Sequence, residues 1–307
     1  MSKEINPLQT SPIRIFIAST PAEWLPMRVL EFSIKETTSI PVEVSALYTF
    51  GRKIPMPQAI ENRPRTPFSF QRFLIPELCD FSGKAIYLDA DMQVFRDIGG
   101  IWNMDFADCD VQAVQEAQKG RRGQFSVMLL DCKALGWNID HIVADLDAGK
   151  LDYAALMYDM QVARKIGRDI PPEWNSLERY ETGKTCLLHY TDMDTQPWIS
   201  TANPLGNLWI ACMRRALQVG FISNEELERE VISGHIRPSL LAQINDKIDV
   251  SIGLPPSVCK LDSHFIPPYQ SLKCGKSRPW TSLRSAAIAF LRRNYYRSSL
   301  PRYFNRA

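Results

Sequence analysis

Short apolar runs alternate with stretches of helical spacing from residue 12 to about residue 200. Residues 85–88 form an unbroken apolar run, which is typical of a strand buried on both faces of a largely parallel sheet. Helical spacing covers residues 26–37 and 66–78, and it continues through residues 205–248. Strands that alternate with helices in this way predict a βαβ domain of the α/β class.

Two aspartates, Asp89 and Asp91, follow the apolar run 85–88. Side chains two residues apart in an extended chain lie on the same face, so both carboxylates can converge on one point. Because like charges repel, such a pair favours a cation between its members. Ligands of open α/β sheets bind just beyond the carboxyl ends of the strands. The sequence therefore predicts that Asp89 and Asp91 hold a divalent metal beside a phosphorylated ligand.

Three other pairs share this spacing, namely Asp108/Asp110, Asp145/Asp147 and Asp192/Asp194. Their contexts differ from that of Asp89 and Asp91. Asp108/Asp110 precedes the apolar segment 111–114, which indicates a turn or a helix end. Asp145/Asp147 follows a stretch of helical spacing and precedes Gly149, which indicates a solvated helix end. Only Asp89 and Asp91 directly follow an unbroken apolar strand.

The segment from Lys84 to Trp102, which contains Ile-Tyr-Leu-Asp-Ala-Asp-Met-Gln-Val, resembles the metal-binding segment of glycosyltransferase family 8. That family contains glycogenin, galactinol synthases and bacterial lipopolysaccharide sugar transferases. Further blocks are similar to the family in the same order, at residues 13–20, 70–78, 127–132, 172–175, 187–190 and 196–198. The resemblance covers about residues 12 to 200. It implies a GT-A-like, Rossmann-like mixed sheet flanked by helices.

The resemblance also implies roles for individual residues. It assigns nucleotide-sugar binding to Ala18, Ser19, Thr20, Arg72, Asp89, Ala90, Gln196 and Trp198. It assigns catalytic positions around the transferred sugar to Asp159, Gln161 and Gln124. It makes His189 the third metal ligand beside Asp89 and Asp91.

The proposed ligands also fit a metal on chemical grounds. Carboxylate oxygens suit Mg²⁺ or Mn²⁺, and an added imidazole favours Mn²⁺. His189 follows the short apolar run 185–188 and would therefore lie at a strand end. His141, His235 and His264 lack that combination of strand context and family resemblance, and we interpret them as structural residues.

Three positions depart from the usual family pattern. Gln124-Phe125-Ser126 stands where relatives carry Asn-Ser/Thr-Gly, Met160 stands where they carry Gln, and Gln196 stands where they carry Lys. A methionine cannot hydrogen-bond a sugar hydroxyl, and a glutamine supplies no positive charge to a diphosphate. These changes keep open a second hypothesis, a non-catalytic relative that binds sugar nucleotides or glycans at a membrane surface. A nucleotidyltransferase is a third hypothesis, but the turn after the first strand lacks its glycine-rich phosphate loop.

Composition is that of an ordinary globular protein, with 45% hydrophobic and 23% charged residues and a formal net charge of +2. This charge balance, without a known nucleic-acid motif, argues against nucleic-acid binding. No stretch approaches the ~20 apolar residues of a membrane span, and residues 1–11 lack a signal-peptide core. Seven cysteines, an odd number without a Cys-x-x-Cys pair, favour a reducing, cytoplasmic environment.

The C-terminal segment is strongly basic, because no acidic residue follows Asp262. Wound as a helix from Trp280, it places apolar residues on one side and Arg292, Arg293 and Arg297 largely on the other. A basic amphipathic helix suits an anionic membrane surface, although a helix that closes the domain core is the alternative. We divide the chain into a catalytic domain at residues 1–204, a helical part of the same unit at 205–275 and a basic amphipathic tail at 276–307.

Together these features predict a metal-dependent hexosyltransferase that uses a UDP-sugar donor. The resemblance implies a retaining mechanism and Mn²⁺ or Mg²⁺ as the cofactor. The acceptor would be a hydroxyl on a glycan, a lipid-linked sugar or a small molecule. The expected location is the cytoplasm, with contact to a membrane through the tail.

Overall fold

The computed structural model describes residues 11–115, 125–248 and 252–269. Gln124 and the tail at residues 276–307 lie outside these described residues. The chain divides into two compact units. The first consists of the described residues up to Ala18 together with Ile34–Asp89 and Val94–Asn175. The second consists of Ser19–Ser33, Ala90–Gln93 and the described residues from Ser176 onward.

The strands of the described part of the chain are β1 (Ile13–Ala18), β2 (Val42–Ala46), β3 (Lys84–Asp89), β4 (Met92–Val94), β5 (Val111–Val114), β6 (Val127–Asp131), β7 (Ile166–Ile170), β8 (Ser176–Leu177) and β9 (Leu187–His189). The α-helices are α1 (Trp24–Thr37), α2 (Ile75–Leu78), α3 (Gly99–Trp102), α4 (Ile139–Asp147), α5 (Tyr153–Met157), α6 (Gly206–Gln218), α7 (Asn224–Ser233), α8 (Pro238–Asn245) and α9 (Pro256–Cys259).

A six-stranded sheet in the order β2-β1-β3-β6-β5-β7 forms the centre of the first unit. Strand β1 pairs in parallel with β2 and β3, β6 is antiparallel to both of its neighbours, and β7 is parallel to β5. The sheet is therefore mixed, which confirms the predicted fold class. Residues Ala85, Ile86, Tyr87 and Leu88 of β3 are all 0% exposed, as expected for a strand covered on both faces.

The register of the sheet brings two predicted site segments together. Ala18, the last residue of β1, lies directly opposite Asp89, the last residue of β3. Because the two strands are parallel, their carboxyl ends meet at one edge of the sheet, where ligands of α/β folds bind.

Several predicted helices are confirmed at their ends. Helix α1 ends at Thr37 and α4 ends at Asp147, before the left-handed Gly149 at φ 68°. Helix α7 begins after a capping box in which Ser223 and Glu226 bond each other's backbone amides at 3.2 and 2.9 Å. Helices α6, α7 and α8 confirm the helical pattern from residue 205 onward.

The continuous helix predicted over residues 66–78 is wrong. A turn precedes a short 3-10 helix, Gln71–Leu74, and one turn of α-helix follows as α2. Pro76 lies in the first turn of α2 and has no N–H to bond a carbonyl four residues earlier. An uninterrupted α-helix is therefore disfavoured at this point, although Phe70, Phe73 and Leu74 are buried.

The second unit contains a small sheet in the order β4-β9-β8, in which β8 and β9 are parallel. Buried Arg237 fixes the chain that follows β9, because its Nε donates to the carbonyl of Pro197 at 3.0 Å and its amide donates to that of Trp198 at 2.8 Å. In the part of the chain that the structure describes, no helix has the length and apolar character needed to cross a membrane.

Candidate metal and nucleotide-sugar site

Asp89 stands at the carboxyl end of β3 and is only 8% exposed. Its Oδ1 accepts a hydrogen bond of 2.5 Å from the hydroxyl of Tyr87, two residues earlier on the same face of the strand. The guanidinium of Arg72 lies 3.7 Å from the same oxygen. These contacts hold the carboxylate in one orientation at the edge of the sheet.

Arg72 is buried, with 6% of its surface exposed. Its Nε donates to the carbonyl of Ser69 at 3.0 Å and its Nη1 donates to the carbonyl of Phe125 at 2.9 Å. The guanidinium also lies 4.6 Å from the ring centroid of Tyr87. These contacts fix Arg72 with its positive charge beside Asp89, where the charge could attract an anionic ligand.

A backbone hydrogen bond at the residue after β9 brings Asp91 and His189 together. The amide of Tyr190 donates to the carbonyl of Asp91 at 2.8 Å, and this bond aligns the end of β9 with the segment that follows β3. His189, which is 5% exposed, places its Nε2 3.0 Å from Oδ1 of Asp91. That oxygen is buried and accepts no hydrogen bond from any described residue.

The three predicted metal ligands lie together. One carboxylate oxygen each from Asp89 and Asp91 and one ring nitrogen of His189 are all within 4.8 Å of one another. A buried carboxylate oxygen that accepts no hydrogen bond destabilises the folded protein unless a cation or a ligand binds to it. Two carboxylates and one imidazole match the ligands of Mn²⁺, and the carboxylates alone would suit Mg²⁺. The residues therefore fit the metal that the sequence predicts.

Gln196 contacts this site through Asp91. It is buried, and its Nε2 donates to Oδ2 of Asp91 at 3.1 Å and to the carbonyl of Tyr190 at 2.9 Å. Trp198 lies deeper, with its ring 6.2 Å from that of Tyr190 and 5.5 Å from that of Trp209. The assignment of Gln196 and Trp198 to nucleotide-sugar binding stays a prediction.

A polar cluster at Thr20 was not predicted from the sequence. The amide and hydroxyl of Thr20 donate to Oε2 of Glu23 at 2.8 and 3.1 Å, and the same hydroxyl lies 3.1 Å from the hydroxyl of Tyr269. The pKa of Glu23 is raised from 4.5 to about 8, mainly by burial and also by the negative charge of Asp91, although hydrogen bonds from Tyr269 and Thr20 lower it. The Thr-x-x-Glu spacing of a capping box could have predicted the local bonds, but not the contact with Tyr269.

The residues assigned to the transferred sugar are placed differently. Asp159 and Gln161 lie in the turn after α5, and both are exposed. Met160 between them adopts φ 50° and is completely buried in the core of the first unit. Within the described residues, no hydrogen bond or ion pair joins Asp159 or Gln161 to Asp89. Their catalytic role stays a prediction, as does that of Gln124, outside the described residues.

The small residues assigned to the nucleotide turn are buried. Ala18 and Ser19 are 0% exposed and Ala90 is 1% exposed. Side chains this deeply buried offer little surface, so a nucleotide would contact this turn chiefly through its backbone. Their binding role is likewise a prediction.

The other aspartate pairs and histidines have structural contacts. Asp108 lies in a left-handed turn at φ 64°, and the carboxylate of Asp110 is 2.7 Å from the guanidinium of Arg164, which confirms the predicted turn. His235 bonds Glu230 at 2.7 Å, in line with its structural interpretation.

Comparisons with known proteins bear on the family and the fold of this chain. Residues 30–166 match the family model described as "Glycosyl transferase family 8". The curated protein named Protein CDI, from Arabidopsis thaliana, is 35% identical over 95 residues, which cover 29% of this chain and 36% of that protein. The match therefore spans about a third of this relative's length.

Solved glycosyltransferase structures resemble the chain at low identity. The apo form of the glycosyltransferase GlyE of Streptococcus pneumoniae has a TM-score of 0.50 at 17% identity, covering 72% of this chain and 64% of that one. The galactosyltransferase LgtC, solved with donor and acceptor sugar analogues, has a TM-score of 0.46 at 13% identity, covering 65% and 95%. The match to GlyE supports the GT-A fold. The resemblance to glycosyltransferase family 8 seen in the sequence is thus confirmed by the family model that matches residues 30–166.

Proposed function

We propose that this protein transfers a hexose from a UDP-sugar to an acceptor hydroxyl in a metal-dependent reaction. The observation that carries the proposal is the convergence of Asp89, Asp91 and His189 within 4.8 Å, with a buried Asp91 oxygen that accepts no hydrogen bond from a described residue. The match of residues 30–166 to the family model supports sugar transfer in general. The choice of UDP-hexose, of Mn²⁺ and of a retaining outcome belongs to the proposal.

Charge accumulates on the diphosphate of a nucleotide sugar as the anomeric bond breaks. A divalent cation bound by Asp89, Asp91 and His189 would neutralise that charge and stabilise the leaving group. Arg72 adds a fixed positive charge beside Asp89, held in place by two backbone carbonyls. Such pre-oriented charges cost little reorganisation during the reaction.

The remaining assignments place the donor around this centre. The nucleotide would contact the turn at Ala18, Ser19 and Thr20, because Ala18 lies opposite Asp89 at the same sheet edge. Asp159 and Gln161 are exposed and free to contact the sugar or a hydroxyl of the acceptor. The acceptor class, whether glycan, lipid-linked or small molecule, depends on the shape of the pocket around this centre.

Donor hydrolysis tests the function without knowledge of the acceptor. The protein is incubated with Mn²⁺ and a panel of UDP-, GDP- and ADP-sugars, and the released nucleotide is measured. We expect UDP release from one or a few UDP-hexoses, and loss of that release in EDTA. Absence of release and of calorimetric binding for every UDP-sugar would overturn the proposal.

A non-catalytic relative is the second candidate, and two observations favour it. Met160 is buried in the core, and the amide of Gln196 is engaged by Asp91 and Tyr190. Met160 cannot hydrogen-bond the donor sugar as the usual glutamine would. Gln196 cannot give the diphosphate the positive charge of the usual lysine. Calorimetric binding of a UDP-sugar in Mn²⁺, without nucleotide release in the presence or absence of candidate acceptors, would identify this alternative.

We also propose that the protein works in the cytoplasm and contacts anionic membranes through its basic tail, residues 276–307. The full-length protein should co-sediment with phosphatidylserine vesicles and detach as salt rises, because screening weakens attraction between charges. Joint substitution of Arg292, Arg293 and Arg297 by Glu should abolish co-sedimentation, whereas Lys150→Glu should not. Binding that persists in the triple variant would refute the role of the tail.

A further inference from the structure

Each aspartate of the proposed metal site has one oxygen engaged by an uncharged side chain. For Asp91 that side chain is Gln196, which is 4% exposed. For Asp89 it is Tyr87, which is 0% exposed. Neither the glutamine nor the tyrosine is among the three potential ligands, so both contacts act on the metal site only through an aspartate.

The Gln196 amide is fixed at two points. Its Nε2 donates to Oδ2 of Asp91 at 3.1 Å and to the carbonyl of Tyr190 at 2.9 Å, so both of its protons have acceptors. The amide of Tyr190 in turn bonds the carbonyl of Asp91 at 2.8 Å. Gln196 therefore ties Asp91 to the residue that follows His189. With Oδ2 held in this way, Oδ1 is left 3.0 Å from Nε2 of His189.

Tyr87 makes the corresponding contact in the first unit. Its hydroxyl donates to Oδ1 of Asp89 at 2.5 Å, and its ring lies under the guanidinium of Arg72 at 4.6 Å. A ring that is fully buried in β3 cannot change its rotamer without disturbing the core. The hydrogen bond is thus a rigid support for one oxygen of Asp89.

We propose that Gln196 and Tyr87 are positioning residues that orient the two metal-binding carboxylates. Each holds one carboxylate oxygen so that the other is directed at the cation, and each does so without adding a positive charge that would compete with it. This inference rests on the proposed metal-dependent function. It gives Gln196 a role in place of the diphosphate contact expected of a lysine at this position.

The test measures Mn²⁺ binding directly, by electron paramagnetic resonance in the presence of UDP. Gln196→Met keeps the length of the side chain but cannot donate, and Tyr87→Phe removes only the hydroxyl. Loss of an outer-shell hydrogen bond costs about 10–100-fold in metal affinity, and we expect a loss of that size in each variant. The spectrum of the remaining bound Mn²⁺ should also change, because its carboxylate ligands are no longer held in one orientation.

Matched controls separate positioning from general damage. Gln93 is also buried and accepts a hydrogen bond of 3.0 Å from the hydroxyl of Tyr190 at its Oε1, but within the described residues no hydrogen bond joins its side chain to Asp91. Gln93→Met should therefore leave Mn²⁺ affinity and spectrum unchanged, as should Tyr153→Phe in the first unit. If Gln196→Met does not fold, the Mn²⁺ affinity and spectrum of Tyr87→Phe test the positioning proposal by themselves.

The outcomes distinguish this proposal from the function on which it rests. Unchanged Mn²⁺ affinity and spectrum in Gln196→Met and Tyr87→Phe, while Asp91→Ala loses binding, would overturn the positioning role and leave the metal site intact. An equal loss in the Gln93 and Tyr153 controls would also overturn it. Absence of Mn²⁺ binding in the unaltered protein would refute the metal site itself, and with it both proposals.

Discussion

Asp91→Ala is expected to abolish Mn²⁺-dependent UDP binding while the protein remains folded. The substitution removes a carboxylate whose buried Oδ1 lies 3.0 Å from His189 and leaves the cation without one of three protein ligands. The loss should exceed the 10–100-fold that is typical of outer-shell changes, so we expect at least about 100-fold. Calorimetry with UDP in Mn²⁺ measures the affinity, and circular dichroism confirms the fold.

Matched variants make this result specific. Asp194 belongs to another Asp-x-Asp pair and is exposed, so Asp194→Ala should bind UDP and Mn²⁺ as the unaltered protein does. His189→Ala should weaken Mn²⁺ binding, whereas His141→Ala, at an exposed position, should not. Unchanged affinity in Asp91→Ala would remove this residue from the metal site, and equal losses at both histidines would return His189 to a structural role.

Glu23→Gln is expected to stabilise the protein at pH 8 and to make its free energy of unfolding depend less on pH. Burial raises the pKa of Glu23 to about 8, so the folded state keeps a proton that the unfolded state releases above about 4.5. The free energy of unfolding must therefore fall as pH rises between these values. The full slope is about 1.36 kcal/mol per pH unit, and partial titration near the two pKa values reduces it, so the advantage of the uncharged glutamine should grow by about 3.5 kcal/mol between pH 5 and pH 8.

Urea unfolding at both pH values, in EDTA so that no cation screens Asp91, measures this effect. Glu226 provides a matched control, because it occupies the same capping-box position before α7 but is only half-buried. Glu226→Gln should keep the pH dependence of the unaltered protein. A Glu23→Gln variant whose stability falls with pH as steeply as that of the unaltered protein would contradict the prediction.

Local sequence patterns predicted the parts of the site that depend on nearby residues. The apolar run that ends in Asp89 and Asp91 predicted a buried strand with two carboxylates at its end, because strand burial and side-chain alternation are local properties. The prediction that Asp145 and Asp147 lie at a helix end is likewise confirmed, because α4 ends at Asp147. Family resemblance, rather than local pattern, made His189 the third ligand.

Local patterns failed where a proline or a distant residue decided the outcome. Apolar spacing alone predicted a continuous helix over residues 66–78, but Pro76 cannot bond a carbonyl four residues earlier, and the chain forms a 3-10 helix before it. Local patterns also failed to predict the contact of Tyr269 with the cluster of Thr20 and Glu23. Tyr269 lies 249 residues beyond Thr20, and no periodicity in the sequence connects them.

The sequence by itself determined which strand presents the two aspartates, since strand burial and side-chain alternation follow from residue type and local spacing. Only the tertiary structure decided how those carboxylates are held. Gln196 was expected to face the donor, yet its amide bonds Asp91 and the carbonyl of Tyr190. The physical reason is that hydrogen bonds between residues about a hundred positions apart depend on how β9 and the following chain pack, and that packing is a property of the whole fold.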